Sequence, residues 1–236
     1  MLKLYRNISY LFVGILVLIF FGFYKTYFGL FPAFRGLPTM AHFHATAFLS
    51  WFALLIVQPI LIRKKKLKTH RMLGRLSYFL ILLIIITTIG MTRYQYYQSI
   101  KTDTRKEALT GLLQAYLDLS FFVSYYVVAI INMKRLSWHL SFIIAASLVL
   151  LGPGLGRLIA HLFRSFWATV IITLGAMYLT LITLMIVEKK RLHRGILRSP
   201  YLLIFILFII EHTLLFTIGN SVLWQWIADK IVTHLF

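Results

Sequence analysis

The sequence predicts an all-α, polytopic membrane protein: one domain over residues 1–236 with seven transmembrane helices, the N-terminus cytoplasmic and the C-terminus outside. Three observations carry that expectation. The chain of 236 residues is 60% apolar, with a mean hydropathy of +0.84, although 25 Lys and Arg against 6 Asp and Glu give a net charge of +19. Its apolar residues fall into runs of about 20 or more, the length a helix needs to cross the hydrocarbon core. Its cations collect in alternate connections between those runs. A soluble nucleic-acid binder would account for the charge but not for the hydropathy, and the apolar content excludes a disordered basic chain. With no cysteine, disulfides, thiolate metal sites, iron–sulfur clusters and thioether-linked haem are excluded as well.

The expected spans are about 8–31, 41–62, 71–92, 113–133, 138–160, 166–187 and 201–222. The first follows Lys3 and Arg6 but is too long for a signal-peptide core, and it ends at Phe31-Pro32-Ala33-Phe34 without a small-residue cleavage pattern. It therefore reads as a retained helix. The second carries Gln58-Pro59, a kink signal near its inner end. In the connection 93–112, Thr104-Arg105-Lys106-Glu107 has capping-box spacing, so the fourth helix is expected to start outside the bilayer. The fifth contains Leu151-Gly152-Pro153-Gly154-Leu155-Gly156-Arg157. That segment predicts a kinked or broken helix lining a cavity, the alternative being close packing through small residues. Trp138, Trp167, Trp224 and Trp226 fall near span ends, as interface anchors should.

Orientation follows from the cations. Lys3 and Arg6, Arg63 to Arg75, Lys134 and Arg135, and Lys189 to Arg198 lie on one side and hold sixteen of the 25 Lys and Arg, with Glu188 the one acid among them. This side is expected to face the cytoplasm of a bacterial inner membrane. The cluster 63–75 is expected to bind anionic lipid headgroups, and nucleic acid is not needed as a partner.

Several motifs occur together: Phe21-Gly22-Phe23-Tyr24-Lys25-Thr26-Tyr27-Phe28, then His42-Phe43-His44-Ala45, Trp51, Gln58-Pro59, and His70-Arg71-Met72-Leu73-Gly74-Arg75. In these the chain resembles a family of uncharacterised bacterial multi-pass membrane proteins, and more loosely other membrane families with a His-Arg-x-x-Gly-Arg turn. The resemblance covers the first three helices and, more weakly, the stretch from His139 to Arg157 and the C-terminal end. The fifth helix departs from it, with Leu140 where a basic residue is usual. The resemblance implies the topology and no activity.

Ionisable residues inside a membrane are costly and usually face the bundle interior, so they are the functional pointers. His44, Asp118, Arg157, His161, Glu211 and His212 fall in the outer half of four different spans. His44, Trp51 and Gln58 recur at seven-residue intervals, which places them on one stripe of the second helix. Asp118 and Arg157 are expected either to neutralise each other or to bind a ligand. Cofactor binding is expected at His44, His70, His139, His161 and His212, because a cysteine-free site for haem b or a divalent metal must rely on imidazole. His44 with His161 or His212 would be the outer pair, and His70 with His139 the inner one. A metal site of His44, Asp118, His161 and His212 would suit a lipid-modifying hydrolase. A substrate cavity lined by Trp51, Gln58, Arg157 and Glu211 would suit a small-molecule or ion carrier. No lysine lies in the seventh span for a retinal Schiff base, and no serine elbow, Walker loop or dinucleotide fingerprint occurs.

Overall fold

A computed structural model describes residues 7–193 and 195–236, the side chain of Leu192 excepted. Lys3, Arg6 and Arg194, which the orientation argument used, lie outside the described residues. The chain forms α1 (Ile8–Gly22), α2 (Thr39–Arg63), α3 (Leu67–Ser99), α4 (Arg105–Ile131), α5 (Leu136–Phe163), α6 (Phe166–Leu192), α7 (Pro200–Thr217) and α8 (Val222–Leu235). Six of these, α2 to α7, are long and apolar enough to cross a membrane. The protein is thus an all-α, multi-pass membrane protein.

Pairwise packing joins α1 to α2, α2 to α3, α3 to α4, α4 to α5, and α5 back to α1, which closes a five-helix ring. The same α4 and α5 also pack with α6 and α7 into a four-helix half. Helix α5 belongs to both and is the most buried of the six long helices, with neighbours on several sides. From α2 to α7 the connections are short, so successive helices run antiparallel. One end of the bundle carries the cationic segments 63–75, 134–135, 189–191 and Arg198 and is called the basic end below.

The expected first span, 8–31, is corrected. Helix α1 stops at Gly22 after 15 residues, about 22 Å of rise, because its last turn lies against the backbone of α5. A Cβ on Gly22 would fall 1.9 Å from the Gly154 carbonyl oxygen. From Phe23 the chain turns back through a short 3-10 turn, Phe28–Leu30, and packs Tyr27 and Phe34 on His42. At the other end of α1, Ser9 donates to the Ile56 carbonyl of α2 at 3.1 Å, close to Pro59.

The predicted break in the fifth helix is also corrected: α5 is continuous through Pro153. Gly154 faces Ile19 of α1, while Gly156 faces Thr169 and Thr173 of α6. The glycines therefore serve close packing on two sides, and Arg157 returns a guanidinium N–H to the Pro153 carbonyl at 3.1 Å.

The start of α4 agrees with the sequence. Thr104 and Glu107 form a reciprocal capping box outside the apolar core. The last expected span, 201–222, divides at a turn. Ser221 caps α8, and the Trp224 indole N–H donates to the Leu109 carbonyl of α4 at 2.9 Å. Trp224 is 7% exposed, so it docks α8 and is no interface anchor, whereas Trp167 and Trp226 are exposed.

Candidate functional site

The two halves of the bundle enclose different chemistry. In the five-helix ring, the α2 stripe expected from the sequence faces inward. Trp51 packs edge-on against Phe122 and Tyr126 of α4, and the Tyr126 hydroxyl shares a 2.6 Å hydrogen bond with Ser77 of α3. Seven residues, or about two helical turns, toward the far end, His44 stacks edge-to-face on Phe48 and lies within electrostatic reach of Arg157 of α5. Arg157 also stands over the Phe23 ring, 4.5 Å from its centroid. Its companions are thus a carbonyl, an aromatic face and an imidazole, and the expected Asp118–Arg157 pair is not formed. Among the described residues the ion pair present is Arg105–Asp229, which links α4 to α8 at 2.5 Å on the surface.

Seven residues toward the basic end from Trp51, the Gln58 amide donates to the His70 carbonyl at 3.3 Å, and Ser77 donates to Gly74 at 2.6 Å. The His-Arg-x-x-Gly-Arg motif, expected as a turn before the third helix, lies instead in the first turns of α3, and it is held from α2 and, through Ser77 and Tyr126, from α4. His70 lies within electrostatic reach of His139, which opens α5. A carbonyl can only accept, so the 2.8 Å contact between His139 Nδ1 and the Ala129 carbonyl makes Nδ1 the protonated nitrogen. Nε2 is then the nitrogen left with a lone pair.

His44 Nδ1, Trp51 Nε1, Gln58 Oε1 and His70 Nδ1 are each buried without a hydrogen-bond partner. An orphaned buried polar group costs about 1–3 kcal/mol. Three of the four lie on the α2 stripe and the fourth at the start of α3.

The four-helix half holds the acids. Tyr125 of α4 stacks on Phe208 of α7, with centroids 5.6 Å apart and planes 6° from parallel, and it also contacts Phe142 of α5. Glu211 and His212 diverge around α7. Glu211 is 3% exposed inside the bundle, while His212 shares a 2.9 Å hydrogen bond with the Tyr178 hydroxyl of α6. Asp118 lies within electrostatic reach of Glu211. His212 is thus turned to α6 and not to His44, and His161 sits exposed near the C-terminal end of α5. The outer histidines do not come together as one site. Among the described residues no three His, Asp or Glu side chains converge in a metal-binding group.

Sequence reasoning missed Glu188. It is 1% exposed at the basic end of α6 and accepts hydrogen bonds from Ser137, in the first turn of α5, and from Ser199, the N-cap of α7. Its neighbours Lys189 and Lys190 disguised it as a surface acid. The only available signal was a serine at each of two helix starts.

Outside the spans, the Tyr27 hydroxyl shares a 3.0 Å hydrogen bond with His42 Nδ1, and burial pushes the phenol above its ordinary pKa. His42, in the first turn of α2, thus packs against the connection, and His44 belongs to the ring.

Comparison with protein-family models, with curated proteins and with solved structures finds no match. The class is defined by the fold itself, a multi-pass α-helical bundle with a histidine-bearing ring and an acidic half.

Proposed function

We propose that the protein is a redox protein of a bacterial inner membrane that binds haem b, or failing that a transition metal, between His70 and His139. The observation that carries this reading is the pair of imidazoles at the basic end of the bundle, where His139 of α5 is fixed through Nδ1 and His70 of α3 keeps a buried nitrogen without a partner. His139 is already oriented by its Nδ1–H bond to Ala129, an arrangement typical of ligating imidazoles. His70 keeps a buried, unpartnered nitrogen, with its backbone held by Gln58.

Haem, when bound, supplies one-electron transfer. The chain contributes the rest. His70 and His139 would hold the group through imidazole nitrogens, and Arg71 and Arg75 would supply cations for its carboxylates. Trp51, Phe122 and Tyr126 close the ring interior beyond. In this reading the basic end faces the cytoplasm and anionic headgroups, and α1 joins α2 to α7 as a seventh membrane segment. The continuity of α5 removes the broken-helix basis for the carrier reading.

Purification in mild detergent, with haem supplied during expression, tests the proposal. A Soret band with the spectrum of two axial imidazoles is expected, lost in His139→Ala and in His70→Ala and kept in His161→Ala. A colourless protein with no stoichiometric metal overturns it.

A further inference from the structure

Glu211 is the acid of α7 that the bundle buries, and its Oε2 has no hydrogen-bond partner. From α4, Tyr125 faces it at 1% exposure with its hydroxyl likewise unpartnered. Tyr125 lies within electrostatic reach of Glu211. So does Asp118, which is seven residues earlier on the same face of α4. From α6, Tyr178 is also in reach, with its hydroxyl held by His212. From α5 comes the apolar Phe142, while Arg157 is turned away to Phe23 and His44. The buried Glu211 carboxyl thus has a second one in reach, that of the half-buried Asp118, which is hydrogen-bonded to Gln114 of its own helix. Neither is ion-paired with a base among the described residues.

Two negative charges at membrane depth repel, and each alone costs a few kcal/mol. One positive charge between them removes the repulsion and leaves a single negative charge shared by the two groups. The tight stack of Tyr125 on Phe208 favours an occupant smaller than an organic cation, and oxygen atoms suit a proton or a hard alkali ion. We propose that Glu211, Asp118 and Tyr125 form a site for one small monovalent cation, a proton or a sodium ion. The site is on α4 and α7, independent of the histidine pair on α3 and α5.

The whole protein in lipid vesicles is followed by infrared difference spectroscopy while pH is stepped in choline chloride, and sodium chloride is then added at fixed pH. A protonated-carboxyl C=O band is expected that titrates away, is missing in Glu211→Gln, and has its midpoint displaced by about one pH unit in Asp118→Asn. Saturable loss of the band on adding sodium identifies sodium as an occupant, and insensitivity to sodium leaves the proton. If Glu211→Gln does not fold, Asp118→Asn and Tyr125→Phe carry the test, since each must displace the midpoint. A spectrum with no titrating carboxyl band and no response to sodium overturns the proposal, as does a band indifferent to these substitutions.

Discussion

Gly22 and Gly154 meet backbone to backbone where α1 ends against α5. A Cβ on Gly22 would stand 1.9 Å from the Gly154 carbonyl oxygen, and one on Gly154 would stand 2.9 Å from the Ile19 Cα. Backbone is on the receiving side in both cases, so no rotamer change relieves the clash. Contacts this close between helices gain dispersion energy that lipid cannot replace.

Substituting either glycine should therefore separate α1 from the ring. Gly154→Ala and Gly22→Ala are each expected to cost about 1–3 kcal/mol, the usual penalty for overpacking. Gly14→Ala should be neutral or mildly stabilising, because a Cβ there meets nothing within 4 Å. Thermal unfolding in detergent, read by circular dichroism, separates the cases. Equal midpoints for Gly14→Ala and Gly154→Ala would refute the packing account.

This junction also marks where the sequence was and was not legible. Hydropathy located each long helix, because burial in lipid acts on runs of residues. The capping box at Thr104 and the stripe of His44, Trp51 and Gln58 were readable because each is a local, periodic pattern. The Gly-Pro-Gly segment was ambiguous: its loosened backbone suits a break as well as close approach, and only Ile19 and Thr173 on neighbouring helices decide between them. Asp118 and Arg157 looked like partners by depth alone. Helix rotation, which apolar runs do not encode, turns one toward α7 and the other toward α1 and α2.

Glu188 gives the second prediction, and its partners lie 51 and 11 residues away in sequence. Its carboxylate receives the Ser137 hydroxyl at 2.6 Å and the Ser199 hydroxyl, where the N-termini of α5 and α7 also favour negative charge. Glu188→Leu removes the shared acceptor and is expected to cost about 2–4 kcal/mol. Glu188→Gln, which keeps one acceptor oxygen, should cost less than half of that. Lys189→Gln, on the exposed face, should change stability by no more than about 0.5 kcal/mol. Chemical unfolding in mixed micelles ranks the three, and a Glu188→Leu variant as stable as Lys189→Gln would remove the knot from the account.

The last prediction concerns acid and the turn between α3 and α4. Ser99 donates to Asp103 Oδ2 at 2.5 Å and Thr102 donates to Oδ1 at 3.0 Å. These two hydrogen bonds, the Ser99 one first, hold the Asp103 carboxyl below its ordinary pKa. A carboxylate whose folded pKa is depressed binds protons more weakly when folded than when unfolded. Its stabilising effect is complete above the ordinary aspartate value of about 4 and fades as pH falls through the lower, folded value. Amide exchange at residues 99–104, corrected for intrinsic rates, should therefore be independent of pH from neutrality down to about 5 and lose protection only in stronger acid. In Asp103→Asn the turn should lose that acid step, with lower protection at neutral pH, while the exchange of α4 beyond its Thr104–Glu107 cap stays unchanged. Loss of protection beginning near neutral pH would mean that another group, not Asp103, governs the turn.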